Sequence, residues 1–346
     1  MAAGPRSKVT RRINLALQGG GAHGAFTWGV LDRFLDDDQI EIAGISGTSA
    51  GALNGAALKA GMIEGGRDGA RANLDWLWHE IAGIGDLRLA DWMSALFPAP
   101  GLISRSIEYS LPFSIADAAT RVFSPYAYGA FYRNPLASIA EKFHYDAVCD
   151  MHAPAFFVCA TNVRTGKIKV FSGQDITTDT ILASTCLPTI FQAVEIDGEA
   201  YWDGGYTGNP ALFPLFDPDL PDDIVIVNIN PLVRDEVPRD APAILNRINE
   251  ISFNSSLLRE LRAINFVKRL IRNGQLQDGA MKDVNVHMIA DDELMTDLGV
   301  ATKLVPTPAI ILALRDAGHN AADRFLADHR DKLGRDSSLD LSEMYD

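Results

Sequence analysis

The stretch IAGISGTSAGALNGAALKA, residues 42–60, combines an apolar run, a glycine-flanked serine and a run of small, helix-forming residues. Residues 42–45 predict a strand, and residues 50–60 predict a helix. Between them, the pattern G-x-S-x-G (residues 47–51) places Ser49 on a sharp strand-to-helix turn, where its hydroxyl is exposed. The flanking glycines let the backbone turn without a Cβ clash. The segment therefore predicts a serine nucleophile, against the alternative of a glycine-rich turn with no chemistry.

Towards the N-terminus, residues 13–17 (INLAL) predict an earlier strand, and a glycine triplet follows at residues 19–21. The order strand–helix–strand–helix predicts parallel strands with covering helices, and so an α/β fold. Parallel strands open their following loops at one edge of the sheet, so the triplet is expected beside Ser49. Its amides are candidates for binding an oxyanion. The first helix is predicted from apolar residues at helical spacing: Phe26, Val30, Leu31, Phe34 and Leu35.

The same glycines also match a dinucleotide-binding pattern. Gly19, Gly21 and Gly24 spell G-x-G-x-x-G after a predicted strand and before a helix. That function requires an acidic residue at the end of the second strand, about 20 residues further on. The second strand ends in residues 46–49 (SGTS), and Glu41 precedes it. The sequence thus argues against nucleotide binding and implies no cofactor.

A serine nucleophile needs a base, and the chain offers two kinds. His287, His319 and His329 come late enough for the order Ser–acid–His of α/β-hydrolases, but none lies in a Gly/Asp-rich turn beside a strand end. Asp203 does, within residues 202–205 (WDGG). A carboxylate that contacts the serine and is partly desolvated can accept its proton. Asp203 is therefore the stronger candidate, although an Asp-Gly-Gly segment alone is usually a simple turn.

The rest of the chain adds further strands and then helices. Residues 197–198 (DG) predict a hairpin turn, and the pattern beyond residue 242 is mainly helical, with Gly274 as a C-cap. The polar tail after Asp331 is predicted to fray. The remaining predicted elements are strands at 155–160, 168–171, 194–196, 199–201, 224–229 and 284–289 and a helix at 178–186.

Composition limits the function classes. The chain has 346 residues, is 47% hydrophobic and carries a formal net charge of −14, which argues against nucleic-acid partners and makes any membrane-surface contact mainly apolar. No apolar run approaches the ~20 residues of a spanning helix, and residues 13–17 are too short for a secretory segment. Cys149, Cys159 and Cys186 are predicted to be buried, reduced thiols, and no His/Asp/Glu cluster has metal-ligand spacing. The expectation is a cytoplasmic protein, peripheral where it contacts membranes.

Taken together, the glycine triplet, the GTSAG segment and the later DGG segment resemble the patatin-like phospholipases, bacterial-type lipid acyl hydrolases. Residues 183–188 (ASTCLP) look like the same family's segment before its catalytic aspartate. The resemblance implies a three-layer α/β/α patatin-like fold with a mainly parallel central sheet. It also implies a catalytic core at residues 13–215. Residues 216–346 are expected to add a last core strand and a mainly helical C-terminal extension packed on the core.

By this resemblance, Ser49 is the nucleophile and Asp203 the base of a Ser–Asp dyad without a catalytic histidine. The oxyanion loop is Gly19, Gly20 and Gly21. The reaction implied is hydrolysis of fatty-acyl esters of lipids through an acyl-enzyme intermediate, with no metal. The glycines expected to support the site are Gly47, Gly51, Gly204 and Gly205.

Some features depart from the family pattern or leave the interpretation open. His23 stands where the family often has Arg or Lys, and is interpreted as a residue of the helix N-terminus; Asn162 stands where Asp is frequent. The aromatic insert at residues 87–132 is either a lid or an ordinary buried excursion. The function alternatives are a carboxylesterase or thioesterase on soluble acyl esters or storage polyester, and a non-catalytic lipid-binding module; homo-oligomerisation is open. The helix predicted beyond residue 242 has a basic face that is either solvated or contacts phosphate headgroups. The residues of this face are Arg259, Arg262, Lys268, Arg269 and Arg272.

Overall fold

The computed structural model describes residues 10–84, 100–113, 123–277 and 279–345. Within these ranges the chain forms one sheet of eight strands. The strands are β1 (Arg11–Leu17), β2 (Ile40–Thr48), β3 (Ala155–Asn162), β4 (Ile168–Ser172), β5 (Val194–Ile196), β6 (Glu199–Asp203), β7 (Asp223–Val227) and β8 (Asn285–Ile289). Their order is β5-β6-β3-β2-β1-β7-β8, with β4 also paired to β3.

Parallel strands form the centre of the sheet. β3, β2, β1, β7 and β8 pair in parallel with their neighbours. β4 and β6 are antiparallel to β3, and β5 is antiparallel to β6. The sheet is thus mainly parallel, as predicted, with an antiparallel margin.

Helices follow most of the parallel strands. Thr177, Asp240 and Thr307 cap the N-termini of three of them, each by accepting a backbone N–H from the first turn. The helices are α1 (Gly24–Leu35), α2 (Ala50–Ile84), α3 (Pro100–Glu108), α4 (Ala137–Ala140), α5 (Tyr145–Val148), α6 (Thr178–Ser184), α7 (Ala241–Arg272), α8 (Asp292–Asp297), α9 (Val300–Leu304), α10 (Pro308–His329) and α11 (Leu341–Tyr345).

Apolar side chains alternate along the strands and fill a core on each face of the sheet. On one face, Leu15 and Leu17 of β1 pack with α1, α2 and α10. On the other, Ala16 and Ile226 pack with Leu261 of α7. Burying one such leucine contributes roughly 1.5–3 kcal/mol. Helices therefore cover both faces, and the predicted three-layer α/β/α fold is confirmed.

The strands predicted from the sequence are all present, and β2 extends the predicted residues 42–45 at both ends. At the hairpin between β5 and β6, Asp197 (φ 51°) and Gly198 (φ 79°) take the left-handed conformation that a tight turn requires. α2 runs well beyond the predicted residue 60 and is interrupted at Gly65 and Gly66. The cysteines are buried and free, as predicted.

The C-terminal part departs from its sequence pattern in two places. In the first half of α7, Ile244, Ile248 and Ile251 are exposed, whereas Asn246, Glu250 and Asn254 on the opposite side are buried. The reason is that this half of the helix packs on polar loops, described below, rather than on the sheet.

The predicted fraying of the tail after Asp331 is wrong. Leu333 and Leu341 are buried, and the N–H groups of Ser338 and Leu339 donate to the carbonyl of Val286 in β8 at 3.2 and 3.1 Å. Two buried leucines and these backbone hydrogen bonds therefore hold the polar segment against the sheet.

Much of the aromatic insert at residues 87–132 lies outside the described residues, namely 87–99 and 114–122. The described part contains α3 and a short 3-10 segment, Pro125–Phe131. In that segment the Tyr126 hydroxyl accepts the N–H of Ala193 at 3.0 Å. Both interpretations of the insert, a lid and an ordinary buried excursion, therefore stay predictions.

Candidate active site

Ser49 lies at the junction between β2 and α2. Its φ of 55° is in the left-handed region, which costs a non-glycine residue roughly 1–2 kcal/mol. The turn is held by the N–H of Ser49, which donates to Ser184 Oγ at 2.9 Å, while the Ser184 hydroxyl donates to the Cys159 carbonyl at 2.7 Å. Strain of this kind persists only where the surroundings fix it, and it is typical of functional sites.

Two glycines let other backbone segments come close to this turn. A Cβ on Gly51 would lie 2.1 Å from the carbonyl oxygen of Leu17, at the end of β1. A Cβ on Gly19 would lie 2.6 Å from Ser49 Cβ. The glycine triplet after β1 and the serine after β2 are therefore in direct contact, as the parallel arrangement predicts.

Asp203 reaches Ser49 because β6 takes over the edge of β3 where β2 ends. β4 pairs with residues 157–161 of β3, so β2 and β6, which also pair with parts of this range, must both lie on its other edge. Thr48 of β2 pairs with Cys159, and Asp203 pairs with Ala160, the next residue. The aspartate is thus set at the end of β2, beside the serine.

Asp203 is only 1% exposed. Burial raises its pKa to about 7, although hydrogen bonds from the Gly205 N–H and the Ser49 side chain partly offset that rise. The Gly205 bond is 2.8 Å long. A carboxyl group with a pKa near neutrality can take and return a proton at neutral pH, which is what a general base requires.

The glycines after Asp203 are in close contact with two other segments, β3 and the C-terminal helix α7. A Cβ on Gly205 would lie 1.9 Å from the ring of Phe253 in α7, and a Cβ on Gly204 would lie 2.3 Å from the Cys159 carbonyl. Tyr206 stacks on Phe253 with ring centroids 5.3 Å apart. Helix α7 therefore forms one wall of the aspartate turn.

The three loop glycines are held differently. The N–H of Gly19 donates to Asn209 Oδ1 at 2.7 Å. Gly21 has φ 59°, and a Cβ there would lie 2.3 Å from the carbonyl oxygen of Lys303. In the described part of the chain, the N–H groups of Gly20 and Gly21 have no protein acceptor. These two amides are free to bind an anionic oxygen.

Polar side chains behind the loop were missed by the sequence analysis. Gln18 Oε1 accepts the N–H groups of Ile229 and Asn230 at 2.9 and 3.2 Å, and Gln18 Nε2 donates to Asn254 Oδ1 at 3.2 Å. Asn209 accepts the Gly19 N–H, and its own N–H donates to Ser256 Oγ at 3.1 Å. A signal existed, since Gln18 and Asn230 closely follow strands whose carboxyl ends meet at one edge.

The family of this chain follows from a comparison with family models. A family model for patatin-like phospholipases matches residues 15–216, more than half of the chain. This chain belongs to the patatin-like phospholipase family. Its general class is therefore that of the lipid acyl hydrolases. Among solved structures, VipD from Legionella pneumophila is similar at a TM-score of 0.44 and 14% identity, over 97% of this chain and 73% of VipD. The comparison with curated proteins finds no match.

His23 is a buried residue at the N-terminus of α1, which agrees with its interpretation from the sequence. Its Nε2 lies 2.8 Å from the Thr302 hydroxyl, and that hydroxyl donates to the Gly299 carbonyl, so Nε2 must be the donor. Burial, and then the charge of Lys303, hold the pKa of His23 well below its usual value. In this patatin-like protein, neutral His23 thus links the N-terminus of α1 to Thr302 in the C-terminal part through a hydrogen bond.

The other positions that the sequence singled out lie elsewhere. His287, in the middle of β8, lies 2.9 Å from Asp223 Oδ1 and 3.0 Å from Ser338 Oγ. His319 and His329 are on α10. Asn162 closes the turn after β3, where its Oδ1 accepts the N–H groups of Arg164 and Thr165.

Over the described ranges, no group of three or more His, Cys, Asp or Glu side chains could hold a metal ion. In the same ranges, no helix has the length and apolar character needed to cross a membrane. Several members of the basic face of α7 have protein partners: Lys268 pairs with Asp283 at 2.7 Å, and Arg262 stacks on Tyr345.

Proposed function

We propose that this protein is a serine lipid acyl hydrolase of the phospholipase A or lipase type, working through a Ser49–Asp203 dyad and an acyl-enzyme intermediate. The observation that carries the proposal is the position of Asp203. Its carboxyl group is buried, its pKa is raised to about 7, and it interacts with the side chain of a strained serine, which partly offsets that rise. A serine that is turned out of the sheet and paired with a base is the arrangement of an activated nucleophile.

In the first half of the reaction, Asp203 takes the proton of Ser49 Oγ while that oxygen attacks the ester carbonyl carbon. The N–H groups of Gly20 and Gly21 donate to the oxyanion of the tetrahedral intermediate. Gly19 has its N–H bound to Asn209, and contributes the close approach of the loop to Ser49. Collapse breaks the bond to the leaving oxygen, which receives the proton from Asp203 and departs as an alcohol or lysolipid.

In the second half, water attacks the acyl-enzyme and gives a proton to Asp203. The same amides bind the second oxyanion. Its collapse breaks the bond to Ser49 Oγ, which recovers its proton from Asp203, and the fatty acid leaves. Asp203 therefore alternates between acceptor and donor, which a pKa near 7 permits with little cost in either direction.

The test is labelling with a fluorophosphonate followed by mass mapping of the adduct. We expect one adduct on Ser49 in the wild-type protein and none in Ser49→Ala, because the reagent reacts with activated serines. A folded wild-type protein that takes no label contradicts the dyad and favours a non-catalytic lipid-binding module. If labelling succeeds, a series of ester chain lengths separates lipid hydrolysis, which favours long chains, from a soluble esterase or thioesterase.

We extend the proposal to the surface from which the lipid arrives. Ile244, Ile248 and Ile251 are spaced four and three residues apart, so they share one face of α7, which we call the isoleucine stripe. In residues 241–256 the charged side chains are Arg247 and Glu250. Arg247 donates to Glu250 and to the carbonyls of Pro231 and Leu232, and Glu250 is buried.

The side of this half of α7 that carries the isoleucine stripe can therefore move from water into an apolar interface without desolvating an unpaired charge. The free-energy cost of insertion is small for that reason. The other side of the same half carries Phe253 against Gly205 and Asn254 against Gln18. The isoleucine stripe thus lies about one helix diameter, ~10 Å, from the loops of the site. Because the net charge is −14, we propose contact with uncharged or zwitterionic lipid rather than anionic lipid.

This proposal predicts that the double variant Ile248→Ser/Ile251→Ser, made in an inactive Ser49→Ala background, binds zwitterionic vesicles at least tenfold more weakly than Ser49→Ala alone. Losing two aliphatic contacts with the interface costs about 1.5–3 kcal/mol each at full burial. The matched control is Phe266→Ser on the same helix, since Phe266 is 52% exposed and Ile248 and Ile251 are 54% and 55% exposed. Equal binding of both variants in a flotation assay contradicts the role of the isoleucine stripe.

A further inference from the structure

A chain of hydrogen bonds runs from the C-terminal part to the glycine loop. The ammonium of Lys303 donates to Asn230 Oδ1 at 3.0 Å. The side-chain amide Nδ2 of Asn230 donates to the carbonyl oxygen of Gly19 at 2.8 Å and to Gln18 Oε1 at 3.1 Å. Lys303 is thus two hydrogen bonds from the peptide that joins Gly19 to Gly20.

The orientation of the Asn230 side chain follows from this chain. An ammonium has three donors and no acceptor, so the amide must turn its oxygen to Lys303. Its NH₂ group is then left facing the Gly19 carbonyl. With a neutral or missing partner at position 303, the amide oxygen loses its charged donor, and only the bonds of the NH₂ group to Gly19 and Gln18 oppose a turn that places oxygen against oxygen.

The Gly19 carbonyl matters because it belongs to the same peptide unit as the Gly20 N–H. In a trans peptide these two groups point in opposite directions, and the cis bonds of the described chain lie elsewhere. A donor that fixes the carbonyl on one side of the loop therefore fixes the N–H on the other. Between glycines, which lack a Cβ, such a peptide can otherwise rotate readily.

We propose that Lys303, acting through Asn230, is a positioning residue that holds the Gly19–Gly20 peptide with the Gly20 N–H directed to the reacting ester. The inference rests on the proposed function, in which that N–H binds the oxyanion. It gives the C-terminal part of the chain a direct effect on the rate of acyl transfer, because part of the oxyanion loop is oriented from there.

The charge of Lys303 depends on pH in the working range. Burial lowers its pKa to about 8; the neighbouring guanidinium of Arg234 lowers it too, and the carboxylate of Glu250 opposes both. His23, another titratable group near Lys303, is neutral because its own pKa lies well below the usual value. Lys303 is therefore charged at pH 7 and loses its proton as the pH rises through about 8.

The test compares Lys303→Met with Lys303→Arg in ester hydrolysis measured from pH 6 to pH 10. We expect Lys303→Met to lower kcat about tenfold with KM unchanged, less than the roughly 10²–10³-fold cost of losing an oxyanion donor. The wild-type decline in kcat as the pH rises through about 8 should disappear in Lys303→Met and move to higher pH in Lys303→Arg. A Lys303→Met enzyme with wild-type kcat and an unchanged alkaline decline overturns the proposal.

The matched control is Lys282→Met. Lys282 also donates to backbone carbonyls, those of Asp217 and Leu220, and burial also lowers its pKa, but it has no bond to the glycine loop. We expect its pH profile to follow the wild type. An equal loss in both variants indicates a general effect on the fold and overturns the specific role of Lys303.

A readout without turnover separates this inference from the proposed function. In Asn230→Asp, a carboxylate oxygen replaces the NH₂ group that faces the Gly19 carbonyl, at nearly constant volume. A crystal structure of this variant should show the Gly19–Gly20 peptide rotated; an unrotated peptide contradicts the inference, whether or not the enzyme is active. If the wild-type protein hydrolyses no ester, the proposed function fails while this measurement still decides the orientation.

Discussion

Ser49→Ala is expected to lower kcat/KM for ester hydrolysis by about 10⁴–10⁶-fold, the loss that follows removal of a serine nucleophile. On the proposed mechanism no other group forms the acyl-enzyme, so the residual rate reflects binding and the oxyanion loop alone. The rate is measured with a short nitrophenyl ester and with dispersed phospholipid. The fold should persist, because Ser49 is held through its backbone N–H to Ser184, which alanine retains.

The control for this prediction is Ser46→Ala, three residues earlier, on β2. Ser46 is buried and donates to the Ala211 carbonyl at 2.6 Å, so its loss should cost roughly 1 kcal/mol of stability and leave the rate within a fewfold of the wild type. If Ser49→Ala retains activity with both substrates, the nucleophile is another residue and the dyad is wrong.

The second large effect is expected at Asp203. Asp203→Asn removes the general base and should lower kcat by roughly 10²–10⁴-fold, while Asn Oδ1 can still accept the Gly205 N–H. The wild-type rate should fall tenfold per pH unit below about 7, the pKa of Asp203, since only the ionised carboxylate accepts the serine proton. In Asp203→Asn this acid limb should be absent from the residual activity.

Glu260 provides a matched control for the acid limb. Burial raises its pKa to about 7 as well, and its carboxylate accepts the N–H groups of Leu212 and Phe213 at 2.8 and 3.0 Å. Glu260→Gln should leave the acid limb in place, because its carboxyl group supports backbone amides and has no bond to Ser49. If Glu260→Gln removes the acid limb and Asp203→Asn keeps it, the fall in rate at low pH reflects an effect of Glu260 on the fold rather than protonation of Asp203.

Local patterns were enough to predict an α/β fold with parallel strands and covering helices, while the three-layer arrangement was implied by the family resemblance. Each parallel strand is a short apolar run that ends in glycine or polar residues, and the Asp197-Gly198 turn has a strong local signal. The length of α2 was underestimated, because the polar and glycine-containing residues after 60 weaken the helical pattern. Packing against α1 and β2 holds this part as a helix despite the break at Gly66.

The site could be predicted only in part. The glycine triplet and Ser49 each directly follow a parallel strand, so the sheet brings them together by a general rule. Asp203 ends the antiparallel strand β6 and reaches them because β6 takes over the edge of β3 where β2 ends. Asn209, Asn254 and Lys303 follow no such rule, since they reach the loop through the particular path of the chain after β6 and β7. One sequence carries no signal for such distant partners.

The long-range closure of β1 has a consequence for synthesis of the chain. On one edge, β1 pairs with β2, which follows it closely in the sequence. The other edge is completed by β7, and the Asn14 side chain donates to the Pro221 carbonyl across 207 residues. Until those later residues leave the ribosome, β1 is an open edge able to pair with other chains. The glycine loop also lacks the side chains that fix it. On the proposed mechanism, a nascent chain therefore cannot reach its full rate on lipids until translation has passed Lys303.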